Sequence, residues 1–274
     1  MAIAIDLEGR VILVCGAAPG GISGATVLQA AAAGATVVAV DNTPDFIDRT
    51  VAAVEGAGGR CHGVVADLTN PAETDPIVET IVGQFGRLDG VVNVAGGTSA
   101  EEWMPLEQTP TEMFRRTLNL NLEYVFRICR DAAASMIKRD APGSLVNVGS
   151  VSALTSAPFH GPYGAAKSGI AALTRTMAFE WGKYGIRANT VQPGAVMSQR
   201  LLSRIDTTAA GGRAGGTSDI VVTSIDELAN TIVFLLSDLA SGVSGQTISV
   251  DSGLSTKFCG GARPFEINKR NPQV

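Results

Sequence analysis

Thirty consecutive residues near the amino terminus, from Val11 to Val40, carry no charged side chain. A charge-free run of this length resembles a membrane span, but Pro19 and five glycines interrupt it. A buried strand, a turn, a helix and a second buried strand explain these residues better, because parallel strands are covered on both faces and are apolar throughout. The run therefore predicts an α/β fold built around a buried parallel sheet.

The rest of the chain continues this alternation of strand-like and helix-like segments. Seven short runs have strand composition: Arg10–Cys15, Thr36–Val40, Gly63–Ala66, Gly90–Val94, Ser144–Gly149, Arg187–Val191 and Thr247–Val250. Six segments between them have helical pattern or composition: Ser23–Ala33, Thr43–Ala57, Pro71–Phe85, Thr111–Lys138, Tyr163–Tyr184 and Asp226–Leu236. Right-handed crossovers between such strands give a single-domain, doubly wound parallel sheet of about seven strands, with helices on both faces. Ligands bind such sheets at the carboxyl ends of the strands.

Composition excludes several classes of function. The chain has a net charge of −5 and a pI near 5.1, whereas a nucleic-acid-binding domain needs a basic face. The four cysteines lie far apart and only two histidines are present, so we expect no disulfide framework and no metal site. Asp6, Glu8 and Arg10 interrupt the apolar start, which is not typical of a signal peptide. We therefore expect a soluble, cytoplasmic protein without a nucleic-acid or membrane partner.

The turn after the first predicted strand is rich in glycine. Gly16, Gly20, Gly21 and Gly24 allow a pyrophosphate to approach the backbone, and the amino end of the next helix carries a partial positive charge. Asp41 lies 25 residues after Gly16, where a carboxylate accepts a hydrogen bond from the adenosine ribose 2′-hydroxyl. No Arg or Lys in the turn or in the seven residues after Asp41 could bind a 2′-phosphate, so we predict NAD and a Rossmann-type fold. A plain tight turn, with Asp41 as a turn or helix-capping residue, is the alternative.

Tyr163 and Lys167 stand four residues apart, and Ser150 lies thirteen residues before the tyrosine. Positions i and i+4 share one face of a helix, so the ammonium lies beside the phenol and lowers its pKa from the usual value of about 10. A serine hydroxyl from another segment then holds a substrate oxygen against the phenol. The alternative is an ordinary contact between Tyr163 and Lys167 on a helix surface. The pattern favours a site that moves a proton on and off an alcohol oxygen.

Together these motifs resemble the short-chain dehydrogenase/reductase family, in its common single-domain type, from about Leu7 to Gly253. The chain departs from the family pattern at Cys15, which replaces the threonine that opens the turn, and at Ser23, which stands where a third glycine is expected. The resemblance implies a set of cofactor-binding residues: Gly16, Gly20, Gly21, Ile22, Asp41, Asp67, Leu68, Asn93, Ala95, Gly96, Tyr163, Lys167, Pro193, Gly194, Val196 and Ser198.

The resemblance also implies four catalytic residues, Asn121, Ser150, Tyr163 and Lys167. Tyr163 is the expected acid/base, and Lys167 both lowers its pKa and binds the nicotinamide ribose. Ser150 is expected to donate a hydrogen bond to the substrate oxygen, and Asn121 to hold a water that passes protons between Lys167 and solvent. The family further implies a homotetramer, which we expect to pair through the two long helices.

We therefore predict an NAD-dependent oxidoreductase that interconverts a secondary alcohol and a ketone, with a small-molecule substrate that is bulky and apolar or cyclic, such as a steroid-like alcohol. A 3-oxoacyl-(acyl-carrier-protein) reductase, which more often uses NADPH, and a non-catalytic NAD-binding regulatory protein on the same fold are the alternatives. We expect residues 1–274 to form one NAD(P)-binding Rossmann domain, with a substrate lid at 195–224 and a C-terminal tail at 254–274.

Overall fold

The core of the protein is a sheet of seven parallel strands. The computed structural model describes residues 4–196 and 222–256. Its strands are β1 (Val11–Cys15), β2 (Thr36–Asp41), β3 (Arg60–Val65), β4 (Gly90–Asn93), β5 (Gly143–Val148), β6 (Ile186–Pro193) and β7 (Thr247–Val250). Their order is β3-β2-β1-β4-β5-β6-β7, and every neighbouring pair is parallel. The predicted doubly wound, Rossmann-type sheet is confirmed.

Helices connect the strands. They are α1 (Ile22–Ala32), α2 (Pro44–Gly56), α3 (Pro71–Thr74), α4 (Pro76–Phe85), α5 (Thr111–Leu118), α6 (Tyr124–Lys138), α7 (Gly161–Trp181) and α8 (Ile225–Leu236). Two predicted helices are divided: α3 and α4 separate at Asp75, because Pro76 has no N–H for a helical hydrogen bond, and a π-helical turn, Asn119–Glu123, separates α5 from α6. Among the described residues, no helix is long and apolar enough to span a membrane.

Alternate residues of the central strands face the two helical layers. In β1, Leu13 and Cys15 belong to a core with residues of α4, α6 and α7, whereas Ile12 and Val14 belong to a core with residues of α1, α2 and α8. Each fully buried side chain of this size contributes about 1.5–3 kcal/mol to folding. β3 begins three residues earlier than predicted because it is an edge strand, in which Arg60 and His62 are exposed and break the apolar pattern.

The sheet reverses its order at β1, which lies between β2 and β4. Chains that leave β1 and β4 turn to opposite sides of the sheet, and this opens a crevice at the carboxyl ends of the two strands. The glycine-rich turn, Asp41 and the residues after β4 all lie at this edge, because each follows the carboxyl end of its strand.

Candidate active site

Two cavities at the carboxyl edge of the sheet form one continuous groove. The first has a volume of about 450 Å³ and lies over β1, β2 and the end of β3, and the second, of about 390 Å³, lies over β4, β5 and the start of α7. Both cavities are lined by Ile22, Val94, Gly96 and Val196, which mark the place where they meet. A long ligand with two different ends fits such a groove.

The glycine-rich turn forms one wall of the first cavity. Gly16 has φ +105°, and a Cβ there would lie 3.2 Å from the Ala95 nitrogen. A Cβ at Gly24 would lie 2.6 Å from the Ala18 oxygen. Gly24 therefore allows the close packing for which the family pattern has a glycine one position earlier, where this chain has Ser23. Ser23 instead accepts a hydrogen bond from Ala18 N–H through its hydroxyl, at 3.1 Å. The turn is thus compact in spite of the departure from the family pattern, and Gly16 and Gly21, which have no side chain, line the cavity.

The amino end of α1 also faces this cavity. Gly21 precedes the helix without a side-chain cap, and the first turn carries no acidic residue. The N–H groups of a first helical turn have no intrahelical partner and present a partial positive charge. The turn and the helix end therefore fit the pyrophosphate of a dinucleotide.

Two carboxylates line the first cavity. Asp41 accepts hydrogen bonds from Ala17 N–H at 2.8 Å and from Thr43 N–H at 3.1 Å, so it holds the glycine-rich turn to the end of β2. Asp67 accepts hydrogen bonds from the N–H and the hydroxyl of Thr69, at 2.8 and 2.7 Å. Both oxygens of Asp41 keep a lone pair for a ligand hydroxyl, and in Asp67, where Oδ1 accepts both bonds from Thr69, Oδ2 can accept from a ligand. Among the described lining residues there is no Arg or Lys that could neutralise a phosphate.

The second cavity brings together Ser150, Tyr163 and Lys167. The Ser150 oxygen accepts a hydrogen bond from Ser152 N–H at 3.1 Å, which leaves its O–H able to donate to a ligand. The Lys167 Nζ lies 5.6 Å from the centre of the Tyr163 ring, on the α7 face that the spacing predicted. Since a cation at this distance favours the phenolate, the geometry is suited to proton transfer at Tyr163.

Lys167 is almost fully buried, with 3% of its surface exposed. Its ammonium donates a hydrogen bond to the Val148 carbonyl at 2.9 Å. Burial lowers the pKa of Lys167 from 10.5 to about 8. The charged form of Lys167 still predominates at neutral pH, but desolvation of the ammonium lowers the stability of the folded protein.

Asn121 lies behind the second cavity rather than in it. Its Oδ1 accepts a hydrogen bond from Gly97 N–H at 2.7 Å, and its Nδ2 donates to the carbonyls of Gly97 and Thr117, each at 3.0 Å. Both amide hydrogens are therefore engaged within the protein, so the side chain does not have a donor left for a water. Asn121 fixes the backbone of Gly96 and Gly97, where a Cβ on Gly96 would lie 2.5 Å from Asn121 Oδ1.

Most of the predicted site residues line the groove, but some do not. The residues that line it are Gly16, Gly21, Ile22, Asp41, Asp67, Leu68, Ala95, Gly96, Ser150, Tyr163, Lys167, Pro193, Gly194 and Val196. The Asn93 side chain turns into the core, where it donates hydrogen bonds to Cys129 Sγ at 3.2 Å and Asn147 Oδ1 at 2.9 Å. Gly20 is at the turn but outside the lining. Ser198 and most of the predicted lid and tail lie outside the described residues.

Sequence reasoning missed two aromatic residues of the second cavity, Trp103 and His160. Their rings stack at 4.6 Å with an angle of 15° between the planes. The position of His160, three residues before Tyr163, was a local signal that pointed to it. Trp103 lies in an irregular loop and had no such signal.

A further cavity, of about 560 Å³, lies at the opposite edge of the sheet. Arg10 and Arg87, which line it, pair with Asp238 at 2.6 Å and Asp89 at 2.8 Å. The pair of Arg10 and Asp238 joins the residue before β1 to the turn after α8, and the pair of Arg87 and Asp89 lies within the loop before β4. Within residues 4–196 and 222–256, no group of His, Cys, Asp and Glu side chains could hold a metal ion.

Comparisons with known proteins agree with this geometry. The family model described as enoyl-(acyl carrier protein) reductase matches residues 16–255. A 3-oxoacyl-(acyl-carrier-protein) reductase of Thermotoga maritima is 36% identical over 255 residues, which is 90% of this chain and 98% of that protein. A 2,5-dichloro-2,5-cyclohexadiene-1,4-diol dehydrogenase of Sphingobium indicum is 33% identical over 259 residues, 91% of this chain and 98% of the relative.

Solved structures lead to the same class. A short-chain type dehydrogenase/reductase from Mycobacterium ulcerans superimposes with a TM-score of 0.82, at 31% identity and with 92% of each chain covered. The fold and the groove thus define an oxidoreductase that uses a nicotinamide cofactor on a small molecule. The chain belongs to the short-chain dehydrogenase/reductase family.

Proposed function

We propose that the protein is an NAD-dependent oxidoreductase that interconverts a secondary alcohol and a ketone. The observation that carries the proposal is the convergence of Ser150, Tyr163 and Lys167 on one cavity, which opens into the groove that holds Asp41. Family membership supports the reaction class, and the two ends of the groove match the two halves of a dinucleotide.

In the oxidative direction, Tyr163 removes the hydroxyl proton of the alcohol while a hydride leaves the same carbon. A nicotinamide held in the groove would accept this hydride. Lys167 favours the phenolate of Tyr163 by its positive charge, and the Ser150 hydroxyl donates a hydrogen bond to the substrate oxygen as charge develops on it. Asn121 holds the Gly96–Gly97 backbone beside Lys167. A positioned acid/base of this kind accelerates a reaction by a factor of about 10²–10⁴.

The choice of NAD rests on the chemistry of the first cavity. Asp41 can accept a hydrogen bond from the 2′-hydroxyl of the adenosine ribose, and it repels a 2′-phosphate. The described lining contains no basic side chain to offset that repulsion. The remaining cofactor residues that line the groove, among them Gly16, Asp67 and Val196, would contact the pyrophosphate, the adenine and the nicotinamide.

A bulky apolar or cyclic substrate fits the mouth of the second cavity. Trp103 lines it, and Leu106 and Phe159 lie on the adjoining loops with 69% and 59% of their surfaces exposed. The relative from Sphingobium indicum acts on a cyclic diol by its name, which agrees with a ring in this position. We also propose a cytoplasmic homotetramer and a substrate lid at 195–224, whose residues 197–221 lie outside the described part of the chain.

The test is to follow the absorbance of reduced nicotinamide while the purified protein acts on cyclic and acyclic secondary alcohols with NAD⁺ or NADP⁺, and on the ketones with NADH or NADPH. We expect the protein to oxidise a cyclic alcohol and to use NAD⁺ in preference to NADP⁺. The relative from Thermotoga maritima makes 3-oxoacyl-thioester reduction the second candidate. NADPH-dependent reduction of such a thioester, with no oxidation of simple alcohols, would establish that alternative. No turnover in any combination would contradict both.

A further inference from the structure

Two loops form a single wall of the second cavity. One follows β4 and contains Trp103, and the other lies between β5 and α7 and contains His160. They are joined by a hydrogen bond from Met104 N–H to the Phe159 carbonyl at 2.8 Å and by the stacked rings of Trp103 and His160. A Cβ on Gly161 would lie 2.9 Å from Leu106 Cδ1, so Leu106 also packs against the second loop. The wall is therefore a built structure with His160 fixed within it.

The backbone beside His160 is strained. Phe159 has φ +66°, a left-handed conformation that is a genuine outlier for a bulky residue. Such conformations persist where the surrounding structure holds them, and they cluster at binding sites. Here the conformation turns the Phe159 carbonyl toward Met104 and leads the chain to His160 at the start of α7.

The hydrogen bonds of His160 define which nitrogen can accept. Its Nδ1 lies 2.9 Å from the Pro158 carbonyl oxygen, and since a carbonyl oxygen only accepts, Nδ1 carries the hydrogen. In the neutral ring, Nε2 is then an acceptor. Its protein neighbour is the Ser152 hydroxyl at 3.4 Å, which is long for an O–H···N hydrogen bond. A ligand hydroxyl can therefore replace this contact at small cost.

His160 lies on the same cavity as the reacting groups, with its ring centre 5.8 Å from that of Tyr163. In the proposed function, Ser150 and Tyr163 contact the reacting oxygen, and Lys167 acts on Tyr163. The described lining contains no Asp, Glu, Asn or Gln side chain, and its other side-chain acceptors are the hydroxyl oxygens of Thr98, Ser150 and Tyr163. Among these described residues, the imidazole Nε2 is therefore the nitrogen acceptor. A substrate carboxylate would meet no second cation on these described walls.

From this geometry we infer that His160 is a specificity-determining residue that accepts a hydrogen bond from a second hydroxyl group of the substrate. The inference rests on the proposed function and narrows it to neutral diols, with an apolar body beside Trp103 and the reacting hydroxyl at Tyr163. Their oxidation products are hydroxyketones, which retain the hydroxyl that His160 binds. Stacking on Trp103 and the bond to Pro158 hold the imidazole in place before the substrate arrives, which lowers the entropy cost of binding.

The experiment compares cyclohexanol with cyclohexane-1,2-diol, -1,3-diol and -1,4-diol as substrates of the purified full chain with NAD⁺. The variants are His160→Phe, which keeps a ring against Trp103 but removes the acceptor, and His160→Gln, which supplies an amide oxygen. Ser156→Ala, an exposed position on the same loop, is the matched control. We expect kcat/KM for at least one diol to exceed that for cyclohexanol by about tenfold in the wild type, the effect of about 1.4 kcal/mol.

In His160→Phe the ratio of kcat/KM for the diol to that for cyclohexanol should fall by about tenfold, and His160→Gln should recover part of it. Ser156→Ala should keep the wild-type ratio. The same ratio in the wild type and in both folded His160 variants would overturn the inference, and it would leave the proposed function intact as long as cyclohexanol is oxidised.

Binding provides a readout that does not depend on turnover. Calorimetric titration of the protein–NADH complex with each compound should show the same preference for the diol and its loss in His160→Phe. If the wild type neither oxidises an alcohol nor reduces a ketone, the proposed function fails. In that case, equal dissociation constants for the diol and cyclohexanol would overturn the inference as well. Tighter binding of the diol that is lost in His160→Phe would support the inference, with His160 then acting in a binding site without turnover.

Discussion

Replacing Lys167 with methionine is expected to make the cofactor-free protein more stable at neutral pH. Burial lowers the pKa of Lys167 from 10.5 to about 8, which corresponds to about 3 kcal/mol of unfavourable desolvation in the folded state. The variant loses the hydrogen bond from Nζ to the Val148 carbonyl, which offsets about 1 kcal/mol. Methionine is similar in length and forms helix well, so the net gain in the free energy of unfolding should be about 2 kcal/mol.

The pH dependence gives the same reasoning a second test. Between pH 8 and 10.5, Lys167 has lost its proton in the folded protein but keeps it in the unfolded chain, so the stability of the wild type rises with pH through this range. Lys167→Met has no such group and should lack this part of the rise. The difference in stability between the two proteins should therefore be largest below about pH 8 and should shrink toward pH 10.5.

Urea denaturation of both proteins at several values of pH measures these quantities, with Lys138→Met at an exposed position of α6 as the control. The control should change the free energy of unfolding by no more than about 0.5 kcal/mol. NADH should stabilise the wild type more than Lys167→Met, because the ammonium then gains a ligand. A less stable Lys167→Met at neutral pH, or the same pH dependence in both proteins, would refute the view that Lys167 is held at a cost for the sake of the site.

Three further results are expected. In the same urea assay, Gly96→Ala should lower the free energy of unfolding by at least about 1 kcal/mol, because φ is +142° and the new Cβ would lie 2.5 Å from Asn121 Oδ1. The control, Gly83→Ala in α4, has open space around the new Cβ and should be neutral or stabilising. Asp41→Asn should reduce the preference for NAD⁺ over NADP⁺ in kcat/KM from more than about tenfold to a few-fold, and an unchanged ratio would contradict the role of Asp41. Light scattering of the wild type should give a tetramer mass, and a monomer at micromolar concentration would exclude the assembly. Phe179 is an apolar residue of α7 that is 89% exposed in the single chain. If α7 lies in an interface, Phe179→Ser should lower the measured mass.

The features that could be predicted from the sequence are those that depend on local residue patterns and on the order of the strands. Buried parallel strands are apolar along their whole length, and motifs that follow their carboxyl ends come together at one edge, so the positions of Asp41, Ser150 and Tyr163 followed from the alternation of elements. Lys167 followed from the helical spacing alone. These are the parts of the site in which chain geometry determines which side chains meet.

Other features depend on contacts between distant segments and left no local signal. The π-helical turn at Asn119–Glu123 accompanies the hydrogen bonds of Asn121 to Gly97, 24 residues away. Asn93 was assigned to the cofactor, but its side chain lies on the face of β4 that packs against Cys129. The stack of Trp103 on His160 joins two irregular loops, where no periodicity indicates which side chains meet.

The central claim is that Tyr163 moves the proton in an NAD-dependent oxidation of a secondary alcohol. The most direct measurement is the rate of NADH formation by wild type and Tyr163→Phe with the preferred alcohol, together with the dissociation constant of NADH for each. Since only a hydroxyl is removed, NADH binding should stay within about threefold, while kcat should fall by about a hundredfold or more. A variant that keeps more than about a tenth of the wild-type kcat would contradict the claim.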